Sequence, residues 1–196
     1  MLLSCLAVTA QERSRTLTLE EEVEAKYSFV SVSTNLLYDA VLVPNVGLEF
    51  NIWDNWTLSL NGMWAWWTKQ DINWYWRVYG GEASVKKYFG RRSKNRSMTG
   101  HHVGLYGQAL TYDFSVGHFG RMAPNLSIGG GVEYGYSLPV TNVMNIDFSL
   151  GIGYLGGNFY EYIEDEGHYV WRATVKQSWF GPTKAAISLV WLIGTK

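Results

Sequence analysis

Leu126-Ser-Ile128-Gly-Gly130-Gly-Val132-Glu-Tyr134-Gly-Tyr136-Ser-Leu138 sets the reading of this chain. Apart from Gly130, the even positions are apolar or aromatic, and the odd ones are Ser, Gly or Glu. A period of two sustained over thirteen residues predicts a strand with one apolar and one polar face. The same alternation appears in Val46–Ile52, Leu58–Trp66, Ile146–Tyr154 and Ile187–Ile193.

The chemistry of the polar face decides what kind of sheet this is. A soluble barrel turns its apolar face inward and dots its outside with Lys and Glu. Here the polar face is mostly Gly, Ser and Asn with single charges, Glu49, Glu133 and Asp147. Small residues with isolated charges suit a narrow interior. The continuous Leu, Ile, Val, Phe, Tyr and Trp face suits lipid. That is the pattern of a transmembrane β-barrel.

Eight strands are predicted: 29–38, 45–52, 57–66, 74–88, 102–114, 126–139, 145–162 and 183–193. Asp54-Asn55 and Thr141-Asn142 read as tight turns. Segments 68–73, 115–125 and 165–182 read as longer loops. The expected fold is therefore all-β: an eight-stranded antiparallel outer-membrane barrel with short periplasmic turns, longer outer loops and both termini inside. The connection 91–100 is long for a periplasmic turn. The aromatics give a ruler. Trp56 and Trp64 are eight residues apart. At ~3.3 Å per residue and a ~40° tilt, that gives ~20 Å of height, near the ~25 Å apolar band flanked by aromatic girdles. Trp53, Trp56, Trp64, Trp66, Trp67, Trp74, Trp76, Trp171, Trp179 and Trp191, with Tyr88 and Phe89, are expected at these interfaces.

Composition closes other routes. The chain has 196 residues, 47% hydrophobic and 16% aromatic, with 17% charged. Soluble domains carry roughly 25% charged residues, and a disordered chain would be less aromatic and more charged. One Cys excludes an intrachain disulfide framework. A formal net charge of -1 leaves no footprint for nucleic acid. No apolar run approaches the ~20 residues of a membrane helix.

Residues 1–10 end in Val8-Thr9-Ala10, the small-x-small form of a signal-peptidase site, although no basic region precedes it. Leu2-Leu3-Ser4-Cys5 resembles a lipobox, but four residues are too few for the apolar region such a signal needs. An ordinary hydrophobic N-terminus is the third reading. Residues 11–26 are polar and acidic and read as a tether before a barrel over 27–194.

Thr34-Asn-Leu-Leu-Tyr-Asp-Ala40 followed by Pro44-Asn-Val-Gly-Leu-Glu-Phe50 resembles an uncharacterised family of outer-membrane barrels, common in Gram-negative anaerobes of the Bacteroides type. The Trp53–Thr57 turn, Ser59-Leu-Asn-Gly62 and the closing Ser188-Leu-Val-Trp-Leu-Ile-Gly194 also look like it, and the resemblance covers roughly Lys26 to Gly194. It implies a small OmpA/OmpX-type barrel, a domain of unknown function with no known catalytic residues. Members tend to sit near fimbrial subunit and surface-adhesin genes, which implies surface assembly. The chain ends at Lys196 without a peptidoglycan-binding domain, so wall anchoring is not expected.

An eight-stranded barrel is just wide enough for side chains to fill. Glu49, Arg77, Glu82, Lys86, Glu133 and Asp147 are the candidates for a charge network inside it. The face of the fourth strand is open, because Gly80-Gly81 could mark a bulge that swaps sides. His101 and His102 are adjacent and face opposite ways, so they cannot chelate together. Asp113, Ser115 and His118 are close enough in sequence for a hydrolytic constellation, which needs a nucleophile, a base and an orienting group. Glu161, Glu164, Asp165 and Glu166, opposite Lys176 and Lys184, could hold a Ca²⁺ or simply be a solvated tip. No phosphate loop, nucleophile elbow or Cys/His metal spacing is present. No cofactor is called for.

The reading is a monomeric, non-enzymatic outer-membrane barrel of a Gram-negative bacterium. It is a structural or accessory component at the cell surface, in contact with membrane lipid, lipopolysaccharide and a surface or fimbrial protein. The alternatives are a lipid-modifying barrel enzyme, acting as a lipid A or phospholipid acyl hydrolase or transferase, and a small-solute channel.

Overall fold

A computed structural model describes residues 30–69, 74–165 and 168–194. The expected leader and tether, 1–26, lie outside the described residues. Nine strands form one antiparallel sheet. They are β1 (Val30–Asn35), β2 (Asn45–Trp53), β3 (Trp56–Lys69), β4 (Trp74–Phe89), β5 (Gly100–Val116), β6 (Phe119–Met122), β7 (Ser127–Pro139), β8 (Met144–Asp165) and β9 (His168–Ile193). Two single helical turns interrupt them, α1 (Leu36–Ala40) and α2 (Arg91–Asn95).

The sheet closes on itself. Apart from β6 and β7, consecutive strands pair with each other, and β1 pairs with β9 from Val30↔Ile193 to Asn35↔Ser188. β6 and β7 occupy one position in turn, both lying between β5 and β8. Nine strands therefore make eight staves. This ring of hydrogen bonds is compatible with a barrel and leaves no free edge where it closes.

Register explains the alternation. On β7 Glu133 and Ser137 are buried while Ile128, Val132 and Tyr134 are more than half exposed. On β3 Thr57 and Ser59 are buried between exposed Trp56 and Leu60. Polar residues fill the inside of the ring and large apolar residues cover the outside. This is the reverse of a soluble core. The interior glycines serve this arrangement. A Cβ at Gly135 would come within 2.5 Å of the His102 ring, and one at Gly151 within 2.7 Å of Tyr106. The large side chains on β5 enter the ring because their neighbours have none.

The two-residue turn after β2 has Asp54 and Asn55 at φ 38° and 63°, as a primed hairpin turn requires. Elsewhere the strands run longer than periodicity predicted. β9 begins at His168 rather than at 183, and β8 reaches Asp165. Much of the expected loop 165–182 is thus the arm of a long hairpin. The expected loop 115–125 contains β6. β1 is shorter than expected, because the Asn35 side chain caps α1 by accepting from Leu37 N at 3.1 Å. Beyond Asn35↔Ser188, residues 168–186 pair with β8 on one side and with no described strand on the other.

Candidate functional site

Three ionic groups occupy the inside of the ring. On the first, Glu49 of β2 takes Lys86 Nζ at 2.9 Å, Thr57 Oγ1 at 2.6 Å and Tyr88 OH at 2.9 Å. In the second, Lys184 of β9 bridges Glu82 and Glu133, with its ammonium 2.6 Å from Glu133 Oε2. Asn61 Nδ2 donates to Glu82 at 3.2 Å. The third is His102 Nε2 against Asp147 Oδ1 at 2.9 Å, with His102 wholly buried. A carboxylate buried without a partner would cost several kcal/mol. Here each of the four carboxylates faces a cationic or imidazole nitrogen.

Five of the six residues expected in this network are there. Arg77 is not. Register runs unbroken through Gly80 and Gly81 against both β3 and β5, so there is no bulge to swap the face. Arg77 shares the outer face with Trp66, whose ring lies 4.9 Å from the guanidinium, and pairs with Asp113 at 3.3 Å. The cation that works inside is Lys184, which the sequence reading placed at the start of the last strand, opposite the acidic run, and left out of the network. A bulge in β9 opposite Gly151 and Ile152 falls at Thr183, just before it. His102, Thr57 and Tyr88 complete the cluster. Tyr88 was expected at an interface, but its strand parity, shared with Lys86, turns it inward.

Among the described residues, packed segments lie across both ends of the ring. At the end where the termini meet, the connection carrying α2 folds across the opening. Met98 packs there against Tyr88, Val190 and Leu192. Asn145 Nδ2 donates to Met98 O at 2.9 Å, and Arg96 donates to Thr141 O and Asn142 O, each at 2.8 Å. This is why the 91–100 connection is long. At the far end, segment 36–44 lies across the mouth. Val43 packs with Ala65 and Val78, and Trp76, Tyr112 and Phe114 surround them. Trp67 Nε1 donates to Leu42 O at 2.7 Å and Trp76 Nε1 to Val41 O at 3.0 Å. Between the seals lies a polar cavity of about 70 Å³ bordered by Asn45, Glu49, Asn61, Glu82 and Lys184. It has room for a few waters.

The tryptophans divide accordingly. Trp53, Trp56 and Trp191 are exposed at the terminal end, and Trp64 and Trp66 are exposed toward the far end. Trp67 and Trp76 clamp the far cap. Trp74 opens β4 opposite Lys69. Trp171 is exposed on the long hairpin, and Trp179, paired with Leu155, alternates with exposed Phe180.

Two of the three hydrolytic candidates have the following partners. Asp113 accepts from Tyr162 OH at 2.7 Å as well as from Arg77, and Ser115 Oγ donates to Phe119 O at 3.3 Å. In the acidic run Glu161 pairs with Arg121 at 3.0 Å. No group of three metal-ligating side chains occurs among the described residues. His101 faces outward, with Nδ1 2.7 Å from Tyr134 OH.

The chain is thus an all-β protein with a closed antiparallel sheet, charged within and apolar without. Residues 7–193 match the model of a protein family of unknown function, DUF3575, and the chain belongs to that family. No curated protein and no solved structure matches it.

Proposed function

We propose that this protein is an eight-stranded transmembrane β-barrel of the outer membrane of a Gram-negative bacterium. Its interior is filled, and it acts without catalysis as a structural or accessory component of the cell surface. One observation carries the reading: Leu105, Ile128, Leu150, Ile152 and Val132 are each 55–69% exposed, while Glu49, Glu133, Asp147 and Lys86 are buried. Such an outer surface is unfavourable in water and matched to hydrocarbon. Trp53, Trp56 and Trp191 near one rim and Trp64, Trp66 and Tyr79 near the other fit the two interfacial girdles. The terminal end is then periplasmic.

The two seals and the small cavity favour a closed interior over a channel. The accessory role finds support in the β8–β9 hairpin. Residues 156–165 run about 30 Å along the strand at ~3.3 Å per residue. There the outer face turns polar at Asn158, Thr174, Lys176 and Ser178, and among the described residues β9 before Ser188 has a strand on one side only, which leaves its other edge open to strand addition by a surface partner.

The test is a mild-detergent pull-down from native outer membranes with mass spectrometry, beside a gel of unheated and boiled protein. A folded barrel shifts only on boiling; absence of a shift counts against the membrane reading. Stoichiometric enrichment of a surface or fimbrial protein, abolished by shortening the 156–178 hairpin, supports the accessory role. A barrel that shifts but elutes alone counts against it. In that case the lipid profile of a deletion strain decides the enzymatic alternative.

A further inference from the structure

Lys87, Arg91, Arg92, Lys94 and Arg96 fall within ten residues that contain no acid. The β4–β5 connection places them around the terminal end, where Asp54 is the one exposed carboxylate among the described residues. At the far end, by contrast, Arg77 and Arg121 each have a carboxylate, Asp113 and Glu161.

This basic end is built rather than loose. Thr99 Oγ1 donates to the carbonyls of Arg92 at 3.1 Å and Arg96 at 2.6 Å, and Ser93 Oγ to Gly90 O at 3.0 Å. Arg96 is committed to the neighbouring turn, and Lys87 to Asp54. That leaves Arg91, Arg92 and Lys94 exposed on a fixed base. The aromatic rim lies directly beneath. Arg92 is 5.7 Å from the Tyr136 ring and Lys87 5.4 Å from Trp56.

We propose that this end binds the phosphate headgroup of an anionic phospholipid through Arg91, Arg92 and Lys94. The proposal rests on the reading that the apolar belt spans a membrane. Guanidinium forks suit phosphate oxygens. Cations beside an interfacial aromatic rim sit at headgroup depth, and the acyl chains would continue along the belt below. A free phosphate would meet the same donors but gain nothing from the belt.

The test is native mass spectrometry of the full chain, delipidated in neutral detergent and offered phosphatidylglycerol and phosphatidylcholine in equal amounts. The wild type should retain phosphatidylglycerol preferentially. Arg91→Gln/Arg92→Gln/Lys94→Gln should weaken that binding by about a hundredfold, at about fivefold per cation. A matched variant at the other end, Lys69→Gln/Arg172→Gln/Lys176→Gln, should leave it unchanged. Equal retention of the two lipids, or equal loss in both variants, overturns the site. Displacement by inorganic phosphate at matched ionic strength overturns the lipid assignment in favour of a bare anion. Protein that shows no boiling-dependent gel shift fails the membrane reading itself. Protein that shifts but shows no headgroup preference fails this proposal alone.

Discussion

The two ends of the ring are sealed by different chemistry. The terminal end is closed by apolar burial: Met98 is 2% exposed within Tyr88, Val190 and Leu192. The far end is held by two indole N–H groups donating to the carbonyls of Val41 and Leu42, beside an apolar cluster of Val43, Ala65 and Val78. Burial of Met98 or Val43 contributes about 1.5–3 kcal/mol and each hydrogen bond about 1 kcal/mol, but the terminal seal adds three such bonds, from Asn145 and Arg96, against two at the far seal. The terminal seal should therefore be part of the cooperative fold. The far seal should be the place where the molecule opens first.

The largest effect should come from between the seals. Lys184→Met leaves Glu82 and Glu133 without their shared ammonium. Breaking a buried pair by removing one partner costs about 3–5 kcal/mol. The temperature of the gel-mobility transition should fall further than for any change in either cap. Adding Glu133→Gln should restore part of the loss. An unchanged transition in Lys184→Met would show that water reaches the cluster and that neither seal excludes it.

Next comes the terminal seal. Met98→Ala should cost about 2–5 kcal/mol, by lost transfer energy and the cavity left behind. Hydrogen exchange should rise across all strands together, because Met98 packs on β4 and β9 at once. A change confined to 91–100 would remove the contrast between the ends.

Much of this was legible in the sequence, for one physical reason. A closed sheet with lipid-suited and polar faces imposes a period of two, and the Leu126–Leu138 stretch carries it openly. Glu49, Glu133 and Asp147 could be placed inside by parity, whereas Glu82 and Lys86 were candidates on a strand whose face was left open. Arg77 was misplaced because glycine pairs mark bulges in some sheets and plain strand in others, and periodicity cannot tell them apart. Lys184 shares its parity with Ser188, on the C-terminal side of the bulge at Thr183, so alternation pointed it inward; it was missed because it was grouped with the acidic run of the preceding loop. Both seals were illegible, because they join residues far apart in the chain: Met98 to Val190, Trp67 to Leu42.

The far seal is the third test. Trp67→Phe with Trp76→Phe keeps the rings and removes both N–H donors, at about 1 kcal/mol each. Exchange should quicken in 36–44 while the strands keep their protection. Bilayer conductance should stay at background, because the ion clusters still fill the interior. A steady current in this double variant would identify the segment as a gate and overturn the closed-interior reading.

The smallest effect is expected at Arg77, which separates the inner face from the outer. Its partner Asp113 and its ring contacts to Trp66 and Tyr75 lie on the outer face, and its guanidinium is partly solvated. Exposed pairs contribute about 0–1 kcal/mol. Arg77→Gln should therefore change the transition by about 1 kcal/mol or less, whereas Lys86→Gln, on the opposite parity of the same strand, should cost several times as much. That ratio measures the inversion itself: in a soluble β-protein both charges would sit in water and the two substitutions would weigh alike. Equal effects would mean that β4 slips its register at Gly80-Gly81, and that Arg77 turns inward after all.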